Sequence, residues 1–354
     1  MKKSRQSLSK DQRGIVSFIV TLVLMIVITL VVIGFAQISR REQRQALDRQ
    51  LSTQAFYAAE SGINDATQAI QIHGYLKDKN NCKLTGADKP YFTKARSTLD
   101  AANNISYTCL LISQSPDTLK YTVHNYRAMS ADMSFADSTG TPQRANDITI
   151  TWQATGGVAS SFSTQKPSFP STSAWTGNTA LLRLAATDLS GANPYQRDNL
   201  NANTYTTFLY PDKNGTSPGN RTNFIGQGSP GGYGLQGSII PADCTSNTSV
   251  CTVVLHFPGL GVSHVFLRIG AIYDDADVTI TAGNLTVTSL NITGAQAVID
   301  ATGKAQDVLR RVQVHLPLQP QNDEPAFTVQ SVDGICKQLN VAPGYAADGC
   351  PIIP

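Results

Sequence analysis

Charge is scarce in this chain. Asp, Glu, Lys and Arg together make up 15% of its 354 residues, against roughly a quarter in an average soluble domain. The net charge is only +3. That is too little for a nucleic-acid footprint, and no basic stripe interleaved with aromatics occurs. Histidine is rare as well. The five (His73, His124, His256, His264, His315) are scattered, with no H-E-x-x-H pair to hold a catalytic zinc. No two cysteines have C-x-x-C spacing, which removes the usual zinc and redox motifs. No internal repeat is present.

Two patterns survive this pruning only formally. Gly226-Gln227-Gly228-Ser229-Pro230-Gly231 fits the spacing of a dinucleotide-binding turn, but it lies in a loop-rich stretch, contains proline and opens no helix. Asp274, Asp275 and Asp277 cluster at a strand end, where calcium would find carboxylate oxygens. The cluster lacks the EF-hand pattern, and aspartates also serve ordinary turns. Neither is read as a site; no metal, cofactor or catalytic residue is expected.

What the chain does have is one apolar run. Ile15 to Ala36 is about 22 residues without a charge, enough to cross a bilayer once as a helix. Lys2, Lys3, Arg5, Lys10 and Arg13 stand before it, with Asp11 the one acid. Arg40, Arg41, Arg44 and Arg49 follow, mixed with Glu42 and Asp48. The basic bias is slight and favours a leader that stays in the cytoplasm, with the rest exported. An ordinary secretory signal would have a shorter core, although Gly34-Phe35-Ala36 imitates its cleavage site. An uncleaved signal anchor fits the run taken alone.

The next segment changes the weighing. Gln37 to Ile72 has no proline, and Leu47, Leu51, Ala55, Ala58, Ala59, Gly62, Ile63, Ala66 and Ile70 recur three or four apart as one stripe. Joined to the apolar run, this predicts a helix of about 58 residues, roughly 85 Å long. No single globular domain needs that length. Strict heptads with bulky seam residues are missing. The stripe turns to alanine and glycine, which lets helices approach closely.

The stretch Phe56-Tyr57-Ala58-Ala59-Glu60-Ser61-Gly62, about forty residues past a leader ending in Gly14, resembles the N-terminal signature of minor pilins from type IV pilus and type II secretion systems. The resemblance covers roughly residues 10 to 70, about a fifth of the chain. It implies that prepilin peptidase cuts between Gly14 and Ile15. It further implies partners among other pilins, the assembly platform and the membrane, and a final place in an extracellular pilus. Two positions depart from the family pattern. Ile15 stands where phenylalanine is usual, and Ile19, the fifth mature position, stands where most pilins carry glutamate. In the family that glutamate pairs with the charged amine of a neighbouring subunit, since an unpaired charge is costly in apolar surroundings. A subunit without it resembles minor pilins at the filament tip, which need no partner above them. Filament assembly is therefore expected to involve Ile19, Glu60 and Gly62, although an exposed helix glutamate is commonly just solvated.

The remaining chain reads as β-rich. The expected fold class is α+β, with a long transmembrane and spine helix followed by an antiparallel, sandwich or jelly-roll-like exported head. The expected division is leader 1–14, helix 15–72, a small pilin-like β domain 73–155, a loop-rich insertion 156–237, and an antiparallel β domain 238–354. Expected strands are Ile105 to Ile112, Lys120 to Arg127, Asp147 to Trp152, Leu181 to Asp188, Thr204 to Tyr210 and Cys251 to Phe257. His264 to Tyr273, Val278 to Thr281, Leu285 to Ile292, Ala297 to Ala301 and Val308 to Leu316 continue the series. Gly156 to Trp175 reads as linker and Pro211 to Gly237 as loop. All six cysteines lie past the helix, and an even number outside the cytoplasm points to disulfides. Six cysteines allow fifteen connectivities. Nearest neighbours are the preferred guess: Cys82 with Cys109, Cys244 with Cys251, and Cys336 with Cys350, the last resembling the C-terminal loop of many pilins.

The function expected is a structural, non-enzymatic minor pilin that helps initiate assembly and contributes to adhesion. A rival reading is an unprocessed single-pass anchor presenting a β-sandwich binding module. The exposed loop from Tyr195 to Tyr210 is one candidate for adhesion. The residues do not choose among a surface, another cell and DNA as what the head touches.

Overall fold

The computed structural model describes residues 12–83, 85–86, 88–92, 97–155, 175, 179–212, 222–223, 238–244, 250–257, 260–286, 289–319 and 324–325. The chain is α+β: a long N-terminal apolar helix precedes a β-rich, mainly antiparallel region. Helix α1 runs Gln12–Gln71, 60 residues without a proline, or about 90 Å. The first strands are β1 (Thr98–Asp100), β2 (Ile105–Ser113), β3 (Thr118–Val123), β4 (Arg127–Ala136), β5 (Pro142–Gln143) and β6 (Asp147–Ala154). Next come β7 (Leu181–Asp188), a short helix Arg197–Asn203, β8 (Thr204–Asp212), β9 (Thr222–Asn223), β10 (Ser238–Cys244) and β11 (Cys251–His256). The series closes with β12 (His264–Ile272), β13 (Ala276–Gly283), β14 (Asn291–Thr293), β15 (Gln296–Ala305), β16 (Val308–Pro317) and β17 (Glu324–Pro325).

Two compact units divide these elements. The first comprises Met1–Asp65, Lys83–Leu110 and Ala301–Val312. Its strands belong to a four-stranded sheet ordered β1-β2-β15-β16, so β16 is an edge. Within this unit Leu51, Ala55 and Ala305 cluster with Ile105 and Val308, which seats the helix on the sheet.

The second unit comprises Ala66–Cys82, Leu111–Asp300 and Gln313–Pro354. Its sheet is ordered β14-β4-β12-β7-β8-β10-β11-β6-β13-β3, with β5, β9 and β17 paired beside that path. Strands from segments 73–155, 156–237 and 238–354 interleave in it. The sheet curls back on itself: the Leu290 amide before β14 donates to Ala282 of β13 at 2.8 Å, and Ile292 donates to Pro116 beside β3 at 2.8 Å. Inside lie Leu119, Met133, Ile148, Ile150, Trp152, Leu182, Leu184, Leu209, Ile269 and Ile280, all at most 1% exposed. The alternating burial of β6, β11 and β13 puts every second side chain into this core.

The strand pattern departs from the sequence expectation in several places. Lys120 to Arg127 is not one strand: β3 ends at Val123, a turn intervenes, and β4 starts at Arg127. Tyr126 takes φ +58° in that turn. The described residues of Leu285 to Ile292 hold no strand before Asn291 either. Asn284 caps a turn by accepting from the Thr286 amide at 3.0 Å, and only Asn291–Thr293 pairs in a sheet. The antiparallel rule has exceptions, because β10 runs parallel to β8 and β9 runs parallel to β11. Part of the Tyr195 to Tyr210 stretch is helix and strand rather than loop. Cys244 and Cys251 form a disulfide across the facing ends of β10 and β11. Cys82 and Cys109 are each disulfide-bonded too. Cys336 and Cys350 lie outside the described residues.

Candidate functional site

The features that carry a functional reading lie along α1. Every described side chain from Ser17 to Gln50 is exposed, although Phe18 to Ile38 is almost wholly apolar. In water that surface would be unfavourable; in a bilayer it is solvated by lipid, and the helix satisfies its own backbone. The polar exceptions are satisfied internally. Thr21 Oγ1 donates to the Phe18 carbonyl at 2.9 Å and Thr29 Oγ1 to that of Met25 at 2.7 Å. By length and composition α1 can cross a membrane.

Burial begins at Leu51. From there Ala55, Ala58, Ala59, Gly62 and Ile63 are buried, which is the stripe read from the sequence. Leu47 does not join them; it is 53% exposed. The strand beneath is matched in kind, since Ala301, Gly303 and Ala305 alternate on one face of β15. Contact is so close that a Cβ on Gly303 would lie 2.0 Å from the Ala55 carbonyl oxygen and 2.4 Å from the Ala59 nitrogen. A Cβ on Gly62 would meet the Tyr107 ring at 3.1 Å and Ala301 at 3.3 Å. Tyr107 then fixes the helix by donating its hydroxyl to Asp65 Oδ2 at 2.8 Å. Arg310 Nε donates to Ser52 Oγ at 2.8 Å on the same helix.

The opposite face of this helix segment is open. Phe56 is 46% and Tyr57 61% exposed, with their rings edge to face at 5.9 Å, and Glu60 is exposed beside them. Gly14 and Ile15 lie in the first turn of α1, and Ile19 is exposed a turn further on. They are roughly 70 Å along the helix from Glu60 and Gly62, so the structure does not bring these residues together. The reading of the sequence missed Gly303 and the Tyr107–Asp65 bond. Alternation of small residues at Ala301, Gly303 and Ala305 was the signal for the first; nothing local signals the second.

Polar groups elsewhere hold strands rather than converge on a cleft. Asp132 pairs with His264 Nε2, Asp147 with His256 Nδ1 at 2.6 Å, and Asp275 with His124 Nδ1 at 3.1 Å. Ser190 Oγ meets the backbone of Ser263 and His264, not the imidazole, so Asp132, His264 and Ser190 make no triad. Among the three clustered aspartates, Asp277 accepts from Thr122 at 2.8 Å, and Asp275 accepts from the Asn125 amide at 2.7 Å. That amide and His124 hold the Asp275 carboxyl below its usual pKa. No group of three potential metal ligands occurs among the described residues. The glycine pattern 226–231 lies outside them.

A helix of this length, apolar at its start and seated by small residues on a sheet, defines an α+β architecture. Residues 13–64 match the family model for the PilX N-terminal region, from minor pilins of type IV pili. No curated protein and no solved structure matches the chain. The match supports a type IV pilus-related protein in general, with membrane anchoring and association with other pilus components.

Proposed function

We propose that the chain is a structural minor pilin of a type IV pilus-like filament, cut by prepilin peptidase between Gly14 and Ile15. The single observation that carries this is the composition of α1: an apolar, wholly exposed first half continuous with a second half that is pinned to its own sheet. Such a helix is built to be covered by lipid before assembly and by other helices after it. Phe56, Tyr57 and Glu60 face outward and would meet a neighbouring subunit. Gly62 contributes from the inside, by allowing the helix to approach Tyr107 and Ala301.

Ile19 favours a position at or near the tip. After cleavage the new amine at Ile15 needs a carboxylate in apolar surroundings. Ile19 supplies none to a subunit stacked above. A subunit that receives no partner there is suited to initiating the filament and to presenting its head for adhesion. The N-terminus would face the cytoplasm and the head the outside, with one crossing.

The test is N-terminal and intact-mass analysis of the protein from its native membrane. A chain beginning at Ile15 is expected. A chain still beginning at Met1 in cells that contain the peptidase would sink the proposal and leave a membrane-anchored β-rich binding module.

A further inference from the structure

Three adjoining cavities on the second unit share their walls. One, of about 230 Å³, is lined by Lys120, His124, Arg127, Gln296 and His315 among others. The next, of about 610 Å³, shares Lys120 and His315 and continues past Asn80, Ser115, Thr118 and Asn291. A third, of about 280 Å³, shares Asn80, Ser113, Val298 and Gln313 with the second. The first cavity could hold about seven waters at roughly 30 Å³ each. The second alone lies in the usual size range of ligand pockets.

Charge is unevenly placed along this trench. Among the described residues lining the first cavity, Lys120, His124, Arg127 and His315 are basic, the Tyr121 phenol is buried, and none is a carboxylate. Asp275 engages His124 at the rim. Lys120 is exposed and makes no ion pair among the described residues. The floor is fixed by Gln296, which is 1% exposed. Its Nε2 donates to the Lys120 carbonyl at 2.7 Å and its Oε1 accepts from the Lys120 amide at 3.0 Å. That pairing orients the carboxamide, so Oε1 also accepts from His315 Nδ1 at 2.9 Å. The neutral imidazole therefore carries its proton on Nδ1, and Nε2 is left as a second donor to be gained on protonation. Burial and the Lys120 charge hold the His315 pKa below its ordinary value. An anion beside both would reverse that effect.

We propose that the first cavity binds the anionic group of an acidic glycan, with Lys120 as its charge partner. The adjoining trench, lined by amides and hydroxyls from Asn80, Ser115, Thr118 and Asn291, takes the neutral part of the saccharide. Single-stranded nucleic acid is the poorer fit, because the described residues lining the cavities offer bases no exposed aromatic face of Phe, Tyr or Trp. The aromatic residue on the first cavity, Tyr121, is itself buried. This inference stands apart from the filament assignment, since it concerns the purified chain alone.

The test is calorimetric titration of the full chain in detergent micelles with 3′-sialyllactose, which carries one carboxylate on a neutral disaccharide, its neutral methyl ester, and inorganic phosphate. Saturable binding of the acid is expected, at least tenfold tighter than the ester, with phosphate competing. Lys120→Gln, an exposed change that leaves the strand intact, should weaken the acid at least tenfold, while Lys304→Gln should not. Between pH 8 and 6 affinity should rise, and His315→Gln should flatten that rise. The other charges facing His315 across the two cavities are Lys120, His124, Arg127, Asp78 and Asp117. Equal binding of acid and ester, or indifference to Lys120→Gln, would overturn the site. Phosphate binding as tightly as the acidic saccharide would overturn the glycan and leave a free-anion pocket. A short single-stranded oligonucleotide that outcompetes the glycan would reassign the ligand.

Discussion

In the first unit the helix meets its sheet through residues with almost no side chain: Ala55, Ala58, Ala59 and Gly62 against Ala301, Gly303 and Ala305. In the second unit the core is filled by Trp152, Met133, Ile148, Leu182, Leu209 and Ile280. One contact depends on side chains that are absent and the other on side chains that are present. They should therefore fail in opposite directions, the first on addition of atoms and the second on their removal.

Trp152→Ala breaks the comparison most strongly. It deletes a side chain 1% exposed and leaves the Ala180 carbonyl without the indole donor now 2.9 Å away. A loss of about 3–5 kcal/mol is expected in urea unfolding of the full chain in detergent. Gly303→Ala is the mirror experiment. Its new methyl would fall on the helix backbone, which cannot move aside as a side chain can. About 1–3 kcal/mol should be lost, read as faster amide exchange at residues 51–65. Both tryptophans, Trp152 and Trp175, belong to the second unit. Their fluorescence midpoint should move less than that exchange does; equal movement would mean the two regions unfold together and would end the contrast.

Tyr107→Phe is gentler, since it removes the bond to Asp65 and keeps the ring against Gly62. About 1 kcal/mol is expected, confined to the same helix amides. The smallest effect is a pH slope from His315. Its folded pKa lies below the ordinary value, so as pH falls through the ordinary range the unfolded chain takes up a proton first. Stability should decline between pH 7.5 and 5.5, and His315→Gln should shallow that decline in the melting temperature.

How much of this was legible depends on what kind of signal a residue carries. Residues 51–70 alternate with helical period and lie on one buried face, as their spacing predicts. Leu47 fits the same period yet is exposed, because periodicity says which face a residue is on and not where the partner sheet stops. Strand β7 announces itself as a short apolar run and β11 by alternation around β-branched residues. Strand β4, Arg-Ala-Met-Ser-Ala-Asp-Met-Ser-Phe-Ala, alternates just as strictly, Met129, Ala131, Met133 and Phe135 against Ser130, Asp132 and Ser134, but it has no β-branched residue to draw attention to it. Asp132 belongs there because His264 on the neighbouring strand pairs with it, a contact across 132 positions of sequence. The parallel pairing of β8 with β10 is equally non-local. Gly303 was hidden for another reason: a glycine in a strand reads as weakness unless the approaching backbone is known.

The disulfide that joins Cys244 to Cys251 offers a practical handle. Both cysteines are fully buried, and they are register partners at the ends of β10 and β11. The pairing of the two strands is thus secured independently of the six residues between them. A peptide tag spliced into 245–250 adds only the entropy of a longer loop, about 0.6 kcal/mol for each doubling. An antibody to that tag would then report, on intact living cells, whether the β-rich region is displayed at the surface.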